Sequence, residues 1–270
     1  HAESLIDDVT NLRDGDLALI VRLGTDVKNN FYEYEIPLTL TPAGKYNNDL
    51  NSDRYRVWPR ENFLDIDLQA FVNLKKERNR AKAEAGSNVG YATLYTGRDP
   101  DNERNRIAVM GNPSLSDIRV LLVGVRNNSS TRKDGIVWVN ELKVTDFNQE
   151  GGWAAKANVN LGVSDIATLN FGAHIETAGF GGVDQSLNSR RMDDYEQYNF
   201  AVQGDLGRFL PEAAKLRAPI FYSVSKEKTS PKYNPLDQDV LLKDALDDAP
   251  DKHARDSINA FAIERTTVQN

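Results

Sequence analysis

The chain has 270 residues, with 33 basic and 40 acidic side chains, which gives a formal net charge of −7. Neither half has the basic excess that binding to nucleic acid requires, so we expect no nucleic-acid partner. The absence of cysteine excludes disulfide bonds, thiol nucleophiles and cysteine metal sites, and the length favours two domains.

The first stretch with a clear pattern is a predicted β-hairpin. Residues 17–24 and 31–40 are rich in aromatic and β-branched side chains, which favour extended backbone, and residues 27–30 form the predicted turn between them. Residues 45–59 are polar and contain many turn-forming residues, so they are predicted to form a long surface loop.

The apolar spacing becomes helical after Glu61. An apolar stripe predicts a helix that continues into the charged residues 75–84 and ends at Gly86. The stripe consists of Phe63, Ile66, Ala70 and Leu74.

Two further strands are predicted in the first half, at residues 118–126 and 135–147. The first contains the apolar run 120–123, which predicts a central strand that is buried on both faces. Five or six strands with one helix predict a jelly-roll-like β-sandwich domain over residues 1–150. The last strand of this domain resembles the terminal strand of galactose-binding-like jelly rolls.

A strict alternation of apolar and polar side chains begins after Gly151 and Gly152. It predicts a hairpin of residues 153–163 and 167–176, with a turn near Ser164 and Asp165 and with one apolar and one polar face. The apolar side chains are Trp153, Ala155, Ala157, Val159, Leu161, Val163, Ala167, Leu169, Phe171, Ala173 and Ile175. The polar side chains include Lys156, Asn158, Asn160, Ser164, Thr168, Asn170, His174 and Glu176.

The same alternation returns in residues 198–206 and 218–224, which are predicted as two more strands. A short helix is predicted within residues 235–247 and a final strand at residues 258–267. Residues 151–270 are therefore predicted to form long antiparallel strands of a β-barrel or an open sheet.

Alternation alone leaves two environments open for the apolar face of these strands. A soluble β-sandwich buries such a face against a second sheet. An outer-membrane barrel turns it towards lipid and keeps the polar side chains in its lumen.

The sequence offers little material for catalysis or for a metal site. Only three histidines are present, too few for a multi-histidine metal site or a serine triad, and His174 is predicted to be solvated on the polar face of a strand. An acidic group lacks the ligand spacing of an EF-hand loop and is predicted to be a solvated turn. This group is Asp99, Asp101, Asn102 and Glu103. We therefore expect no enzymatic activity, no cofactor and no bound metal.

Six short segments occur in a characteristic order along the chain. They are residues 48–62, 68–79, 138–142, 163–165, 179–182 and 233–237, and they include the stretches VWPREN, WVNEL, GFGG and YNPLD. Together they resemble segments of the SprA (Sov) family, the outer-membrane translocon of the type IX secretion system used in gliding motility. The resemblance extends over about residues 45–245.

The resemblance implies that the chain is an internal fragment of a very large single-chain barrel with soluble insertions. Such a barrel is a conduit through which folded cargo proteins cross the outer membrane. The implied partners are exported cargo, other secretion-system proteins that plug or cap the channel, and outer-membrane lipid. The implied location is the outer membrane or cell surface, with periplasmic or extracellular portions, and no catalytic residue is implied.

Under this interpretation the apolar side chains of the second half face lipid. The candidate lipid-facing residues are Trp153, Val159, Leu161, Leu169, Phe171, Ile175, Phe200, Val202, Ile220 and Tyr222. The alternative function is that of a soluble, secreted carbohydrate-binding β-sandwich module that recognises a glycan through exposed aromatic residues of the first domain. Trp58 and Trp138 are the candidates for that role.

Overall fold

The chain is mainly β, with 36% of its residues in strands and 19% in helices, which confirms the predicted fold class. It divides into two compact units, His1–Thr145 and Asp146–Asn270. No helix in the described part of the chain is both long and apolar enough to cross a membrane. The structure is a computed structural model, and it describes residues 1–5, 9–84, 86–146, 151–164, 166–185, 189–211 and 215–270.

The first unit contains two antiparallel sheets within its described residues. Its strands are β1 (Ala2–Ser4), β2 (Leu17–Gly24), β3 (Phe31–Pro37), β4 (Tyr95–Arg98), β5 (Arg106–Met110), β6 (Val120–Asn127) and β7 (Gly135–Val137). The larger sheet has the order β4-β5-β3-β2-β6, and the smaller one pairs β1 with β7. The predicted hairpin of the sequence corresponds to β2 and β3, which pair antiparallel.

Two α-helices belong to this unit, α1 (Asn51–Val57) and α2 (Leu68–Ala83). The side chain of Asp67 caps α2 by accepting a hydrogen bond from the Gln69 N–H at 2.9 Å, which satisfies one of the free donors of the first turn. Helix α2 packs against the sheet at Gly97, because a Cβ at that position would lie 2.7 Å from Leu74 Cδ1. The missing side chain therefore lets the helix approach the sheet closely.

The hydrophobic core of the first unit lies between α2 and one face of the larger sheet. Phe71 of α2 stacks on Tyr32 with ring centroids 5.1 Å apart and meets Tyr34 edge-on at 6.4 Å. The other fully buried apolar residues of this core include Leu74, Ile36, Ile107 and Val109. This packing fixes the position of α2, which contains Ala70 and Leu74 of the predicted stripe. The prediction of a helix from residue 61 is wrong at its start, because Phe63 and Ile66 precede the helix.

The prediction that residues 120–123 form a central, doubly buried strand is wrong. These residues begin β6, which lies at the edge of the larger sheet next to β2. Leu121, Val123 and Val125 are all more than 40% exposed. They lie opposite Leu23, Val21 and Leu19 and so extend the apolar face of β2 beyond the part that α2 covers. The apolar run at residues 120–123 therefore belongs to a part of the sheet that α2 does not cover.

Two other predictions differ from the structure. The predicted loop at residues 45–59 contains α1, because Asp53 accepts a hydrogen bond from the Asn47 N–H at 2.8 Å and so ties the preceding turn to the helix. The predicted strand at residues 135–147 is a strand only over β7, since its partner β1 has three residues and pairing ends where the Trp138 N–H reaches the His1 carbonyl at 2.8 Å. Phe147 lies outside the described residues.

The opposite face of the larger sheet carries a cross-strand ionic network. Glu33 and Glu35 of β3 are almost fully buried as side chains. Glu33 accepts hydrogen bonds from Arg22 Nε at 2.6 Å and from Arg126 Nη2 at 2.9 Å. Glu35 pairs with Arg106 and Arg126 and accepts from Asn128 Nδ2 at 3.0 Å. The network therefore joins four neighbouring strands through two carboxylates.

Acid is expected to weaken the first unit through Glu35. Burial acts to raise the pKa of Glu35, but the hydrogen bonds from Asn128 and Arg106 and the charges of Arg106 and Arg126 outweigh it and lower the pKa below its ordinary 4.5. The stabilisation from ionised Glu35 is therefore complete above pH 4.5 and is lost as the pH falls through the lower, folded-state value. Urea unfolding between neutral and acid pH measures this loss.

The variant Glu35→Gln isolates that contribution. It is expected to be less stable than the wild type at neutral pH and to lose less stability on acidification. Glu103→Gln, at an exposed position, serves as the control and keeps the wild-type slope. An acid dependence of Glu35→Gln that equals the wild type would contradict the prediction.

The second unit is built on one five-stranded antiparallel sheet. Its strands are β8 (Ala154–Val163), β9 (Ala167–Glu176), β10 (Asp193–Asp205), β11 (Pro219–Pro231) and β12 (Glu264–Gln269), in the order β12-β11-β10-β9-β8. Two helices, α3 (Leu242–Asp247) and α4 (Lys252–Ala262), lie between β11 and β12 in the chain. The predicted hairpin corresponds to β8 and β9, and its turn residue Asp165 lies outside the described residues.

The predicted final strand at residues 258–267 is only partly correct. Residues up to Ala262 belong to α4, and the strand β12 begins at Glu264. The side chain of Asp251 caps α4 by accepting from the Ala254 N–H at 2.7 Å. Ile258 and Ala262 are four residues apart, a spacing that suits one face of a helix as well as one face of a strand. The capping residue decides between the two.

Candidate functional site

The register of the second sheet places apolar side chains of four strands on one face, here called the apolar face. One row across the sheet reads Val159, Phe171, Phe200 and Val224, and the next reads Leu161, Leu169, Val202 and Tyr222. Residues directly opposite one another on neighbouring strands share a face. The two rows therefore form a continuous apolar surface from β8 to β11.

All ten candidate lipid-facing residues are assigned to this side of the sheet, although Ile175 lies opposite Glu196 at its charged end. Nine of them lie within β8 to β11, at positions that the register assigns to the apolar face. Trp153 directly precedes β8, and its carbonyl accepts from the Thr177 N–H at 2.9 Å, which continues the pairing by one step. Tyr198 and Val224 lie on the same face and are two further members that the alternation of their strands also indicates.

The apolar face is open to its surroundings. Leu161 is 57% exposed and Phe171 is 46% exposed. Among the described residues, the buried hydrophobic side chains of this unit are Val240, Leu242 and Ala262, and none of these lies on the sheet. The sheet therefore stands as a single layer whose large apolar side chains lack a protein core.

The opposite face, here called the amide face, is polar and uncharged at its centre. Its central rows carry Asn158, Asn160, Asn170, Asn199, Ser223 and Ser225. These side chains line a shallow groove of about 530 Å³. The Asn199 amide lies over Gly172, where any Cβ would overlap it. Amides and hydroxyls donate and accept hydrogen bonds without carrying a fixed charge, so this face is wetted but holds no ion strongly.

One end of the sheet is charged on both faces. On the apolar side, a row contains Glu196, Lys228 and Arg265, and the Lys228 Nζ lies 3.3 Å from the Glu196 carboxylate. On the amide side, His174 Nε2 lies 3.0 Å from the Glu176 carboxylate, and the side chain is partly exposed on the polar face where it was predicted. The charged end limits the apolar surface in the direction of the strands.

The same end contains an ion pair of arginine and aspartate on the amide side. Arg191 Nε lies 3.0 Å from Asp193, and the Arg191 guanidinium is placed over the Tyr195 ring. The hydrogen bond from Arg191 to Asp193, aided by the charges of Asp193 and Glu176, raises the pKa of Arg191 despite partial burial. These contacts fix the charged end as a structural feature of β9 and β10.

The acidic group of the first unit is a turn as predicted, but its first residue is not solvated. Asp99 is buried and accepts hydrogen bonds from the Tyr34 hydroxyl and from the Asp101 N–H at 3.0 Å. Burial, aided by the hydrogen bond to Asp99, raises the pKa of the Tyr34 hydroxyl. Within the described ranges, no three histidine or acidic side chains are grouped as metal ligands.

The two candidate aromatic residues of the first unit share one groove. Trp58 and Trp138 both line a cavity of about 740 Å³, together with Phe63 and Leu142. Both indole rings are exposed, and the His1 ring lies 5.7 Å from that of Trp58. The groove brings together residues that are 80 positions apart in the sequence, and local sequence patterns give no sign of that proximity.

Comparison with known protein families gives a match for most of the chain. The model of the family SprA_N, described as motility related/secretion protein, matches residues 1–246. No curated protein matches the chain.

Proposed function

Because the chain belongs to the SprA_N family of motility-related and secretion proteins, we propose that it is part of an outer-membrane protein-translocation channel of the type IX secretion system. In this proposal the second unit contributes wall strands, with the apolar face towards the acyl chains and the amide face towards the passage for exported proteins. The first unit is a soluble portion in the periplasm or at the cell surface.

The exposed apolar face carries this proposal. Burying a Leu, Val or Phe side chain stabilises a folded protein by about 1.5–3 kcal/mol. In water the second sheet lacks this stabilisation at each exposed position of its apolar face. Exposed contiguous apolar surfaces of this kind mark interaction with a membrane or another apolar partner. Acyl chains would cover the two apolar rows from β8 to β11.

The amide face supports the second half of the proposal. The wall of an aqueous passage needs side chains that remain hydrated and that do not trap a cargo protein by charge. The central asparagines and serines of this face meet that need, because they are polar and carry no charge. The charged end of the sheet suits the boundary between acyl chains and water, where long basic side chains can reach the headgroups.

The proposal assigns no catalytic role to any residue. The partners that it names are exported cargo proteins, secretion-system proteins that plug or cap the channel, and outer-membrane lipid. In this proposal transport depends on a polar route enclosed within the bilayer and requires no chemical reaction by this chain.

Detergent binding tests the proposal on the purified chain. We expect the protein to bind a micelle of a non-ionic detergent and to associate when the detergent is removed, because the apolar face is then left in water. Analytical ultracentrifugation with and without detergent measures both properties. A monodisperse monomer that binds no detergent and unfolds cooperatively in buffer would overturn the membrane placement.

The shared groove of Trp58 and Trp138 favours glycan binding as a second candidate function. Two exposed indoles on one cavity can stack on sugar rings. Titration of polysaccharides while tryptophan fluorescence is recorded is expected to give a saturable change that Trp138→Ala abolishes. The absence of any saturable response would exclude this candidate.

A further inference from the structure

A cavity rich in arginine lies on the first unit, on the face of the larger sheet that carries the ionic network. Its volume is about 680 Å³, within the range of small-molecule sites. Its charged and polar lining residues are Arg98, Arg104, Arg106, Arg126, Glu35 and Asn128. Arg106 and Arg126 pair with Glu35 and with the buried Glu33, so the positive charges of Arg98 and Arg104 are left unbalanced in the described part of the chain.

The carboxylate of Glu35 is already occupied by protein donors. It accepts from Arg106, Arg126 and Asn128. These donors and the nearby positive charges also hold the carboxyl ionised at neutral pH by lowering its pKa against the effect of burial. The carboxylate therefore has little capacity left to balance the other arginines.

Two of the arginines have no carboxylate partner among the described residues. Arg98 makes one long hydrogen bond of 3.4 Å, from Nη1 to the Arg104 carbonyl. Arg104 donates to neutral oxygens, the Pro37 carbonyl at 2.6 Å and the Thr39 hydroxyl at 2.9 Å among them. Both guanidinium groups keep donors that are free to meet a ligand.

The register places two of these arginines side by side. Arg98 of β4 is exposed and lies directly opposite Arg106 of β5, which pairs with Glu35, and the two side chains share a face. Like charges directly opposite across two strands are destabilising. An anion between them would remove the repulsion and would accept hydrogen bonds from both guanidinium groups.

We propose that this cavity binds a phosphate group, either as free inorganic phosphate or as the phosphate of a lipid headgroup. Guanidinium groups bind phosphate oxygens through two parallel hydrogen bonds, and the arginines of the site approach from more than one strand. A phosphate group balances more of the excess charge than a carboxylate does. The size of the cavity leaves room for a larger molecule attached to the phosphate.

Inorganic phosphate titration of the full chain in a non-ionic detergent tests the site. Calorimetry at constant ionic strength, with chloride as the reference anion, is expected to give saturable binding. Arg98→Gln is expected to weaken binding at least tenfold. Arg119→Gln, which removes an exposed arginine that pairs with Asp117 outside the cavity, is expected to leave binding unchanged.

A short-chain, water-soluble phosphatidylglycerol distinguishes the lipid source from the free anion. If the ligand is a headgroup, binding of this lipid to the full chain in non-ionic detergent falls at least tenfold in Arg98→Gln, while Arg119→Gln leaves it unchanged. Circular dichroism establishes that both variants are folded. The proposal is overturned if Arg98→Gln matches the wild type towards both inorganic phosphate and phosphatidylglycerol, or if neither probe binds.

Discussion

Phe171→Arg is expected to destabilise the chain in a bilayer by about 2–4 kcal/mol, the cost of an arginine on the lipid face near the bilayer midplane. Phe171 lies in the fully apolar row with Val159 and Phe200, at the centre of the apolar face. Under the proposed placement the guanidinium would enter the acyl chains without a partner. Equilibrium unfolding by urea in lipid vesicles measures the difference from the wild type.

Asn170→Arg provides the matched control for this substitution. Asn170 is the neighbouring residue of the same strand and lies on the amide face, among Asn160 and Ala201. The arginine there would remain in water, so its cost is expected to stay within about 0.5 kcal/mol, as for an ordinary surface substitution. Equal costs for the two variants would contradict the assignment of the faces.

Phe71→Ala is expected to destabilise the first unit by about 3–5 kcal/mol, as large-to-small changes of a buried phenylalanine do. Phe71 is fully buried and contacts the rings of Tyr32 and Tyr34. Its loss leaves a cavity between α2 and the larger sheet and removes both aromatic contacts.

The unfolding of the first unit can be followed separately from that of the second. A Trp153→Phe background leaves Trp58 and Trp138, both in the first unit, as the fluorescent reporters. Phe63→Ala is the control, because this phenylalanine is 62% exposed and its removal is expected to have a small effect. A Phe71→Ala variant with wild-type stability would show that the packing of Phe71 against the sheet does not stabilise the first unit.

Elements that local sequence patterns determine could be predicted, whereas features that depend on contacts between distant residues could not. The alternation within β8 and β9 is a local pattern with a period of two residues, and both strands and their faces could be predicted from it. The apolar spacing of Ala70 and Leu74 within α2 is equally local, whereas Phe63 and Ile66 precede the helix although the same spacing includes them. The order of strands across the larger sheet is not local, so the run at the start of β6 was wrongly predicted as central although it lies at an edge.

The candidate sites divide in the same way. The alternation within each strand predicted which residues lie on the apolar face. Only the pairing of the four strands shows that these residues form continuous rows. The arginine-rich cavity could not be predicted. Glu35 is 71 residues from Arg106 and 91 from Arg126, and only the strand order brings these charges together. Their side chains alternate with apolar ones, as on any strand with one solvated face.

Fluorescence quenching of single-cysteine labels measures the environment of each face of the second sheet directly. The chain contains no cysteine, so Phe171→Cys and Asn170→Cys each carry one label without further changes. In lipid vesicles we predict that a label at residue 171 is quenched by brominated acyl chains and a label at residue 170 by aqueous iodide. Quenching of the label at 171 by iodide alone, or by neither agent, would place the apolar face in water or in a protein core and would contradict its contact with lipid.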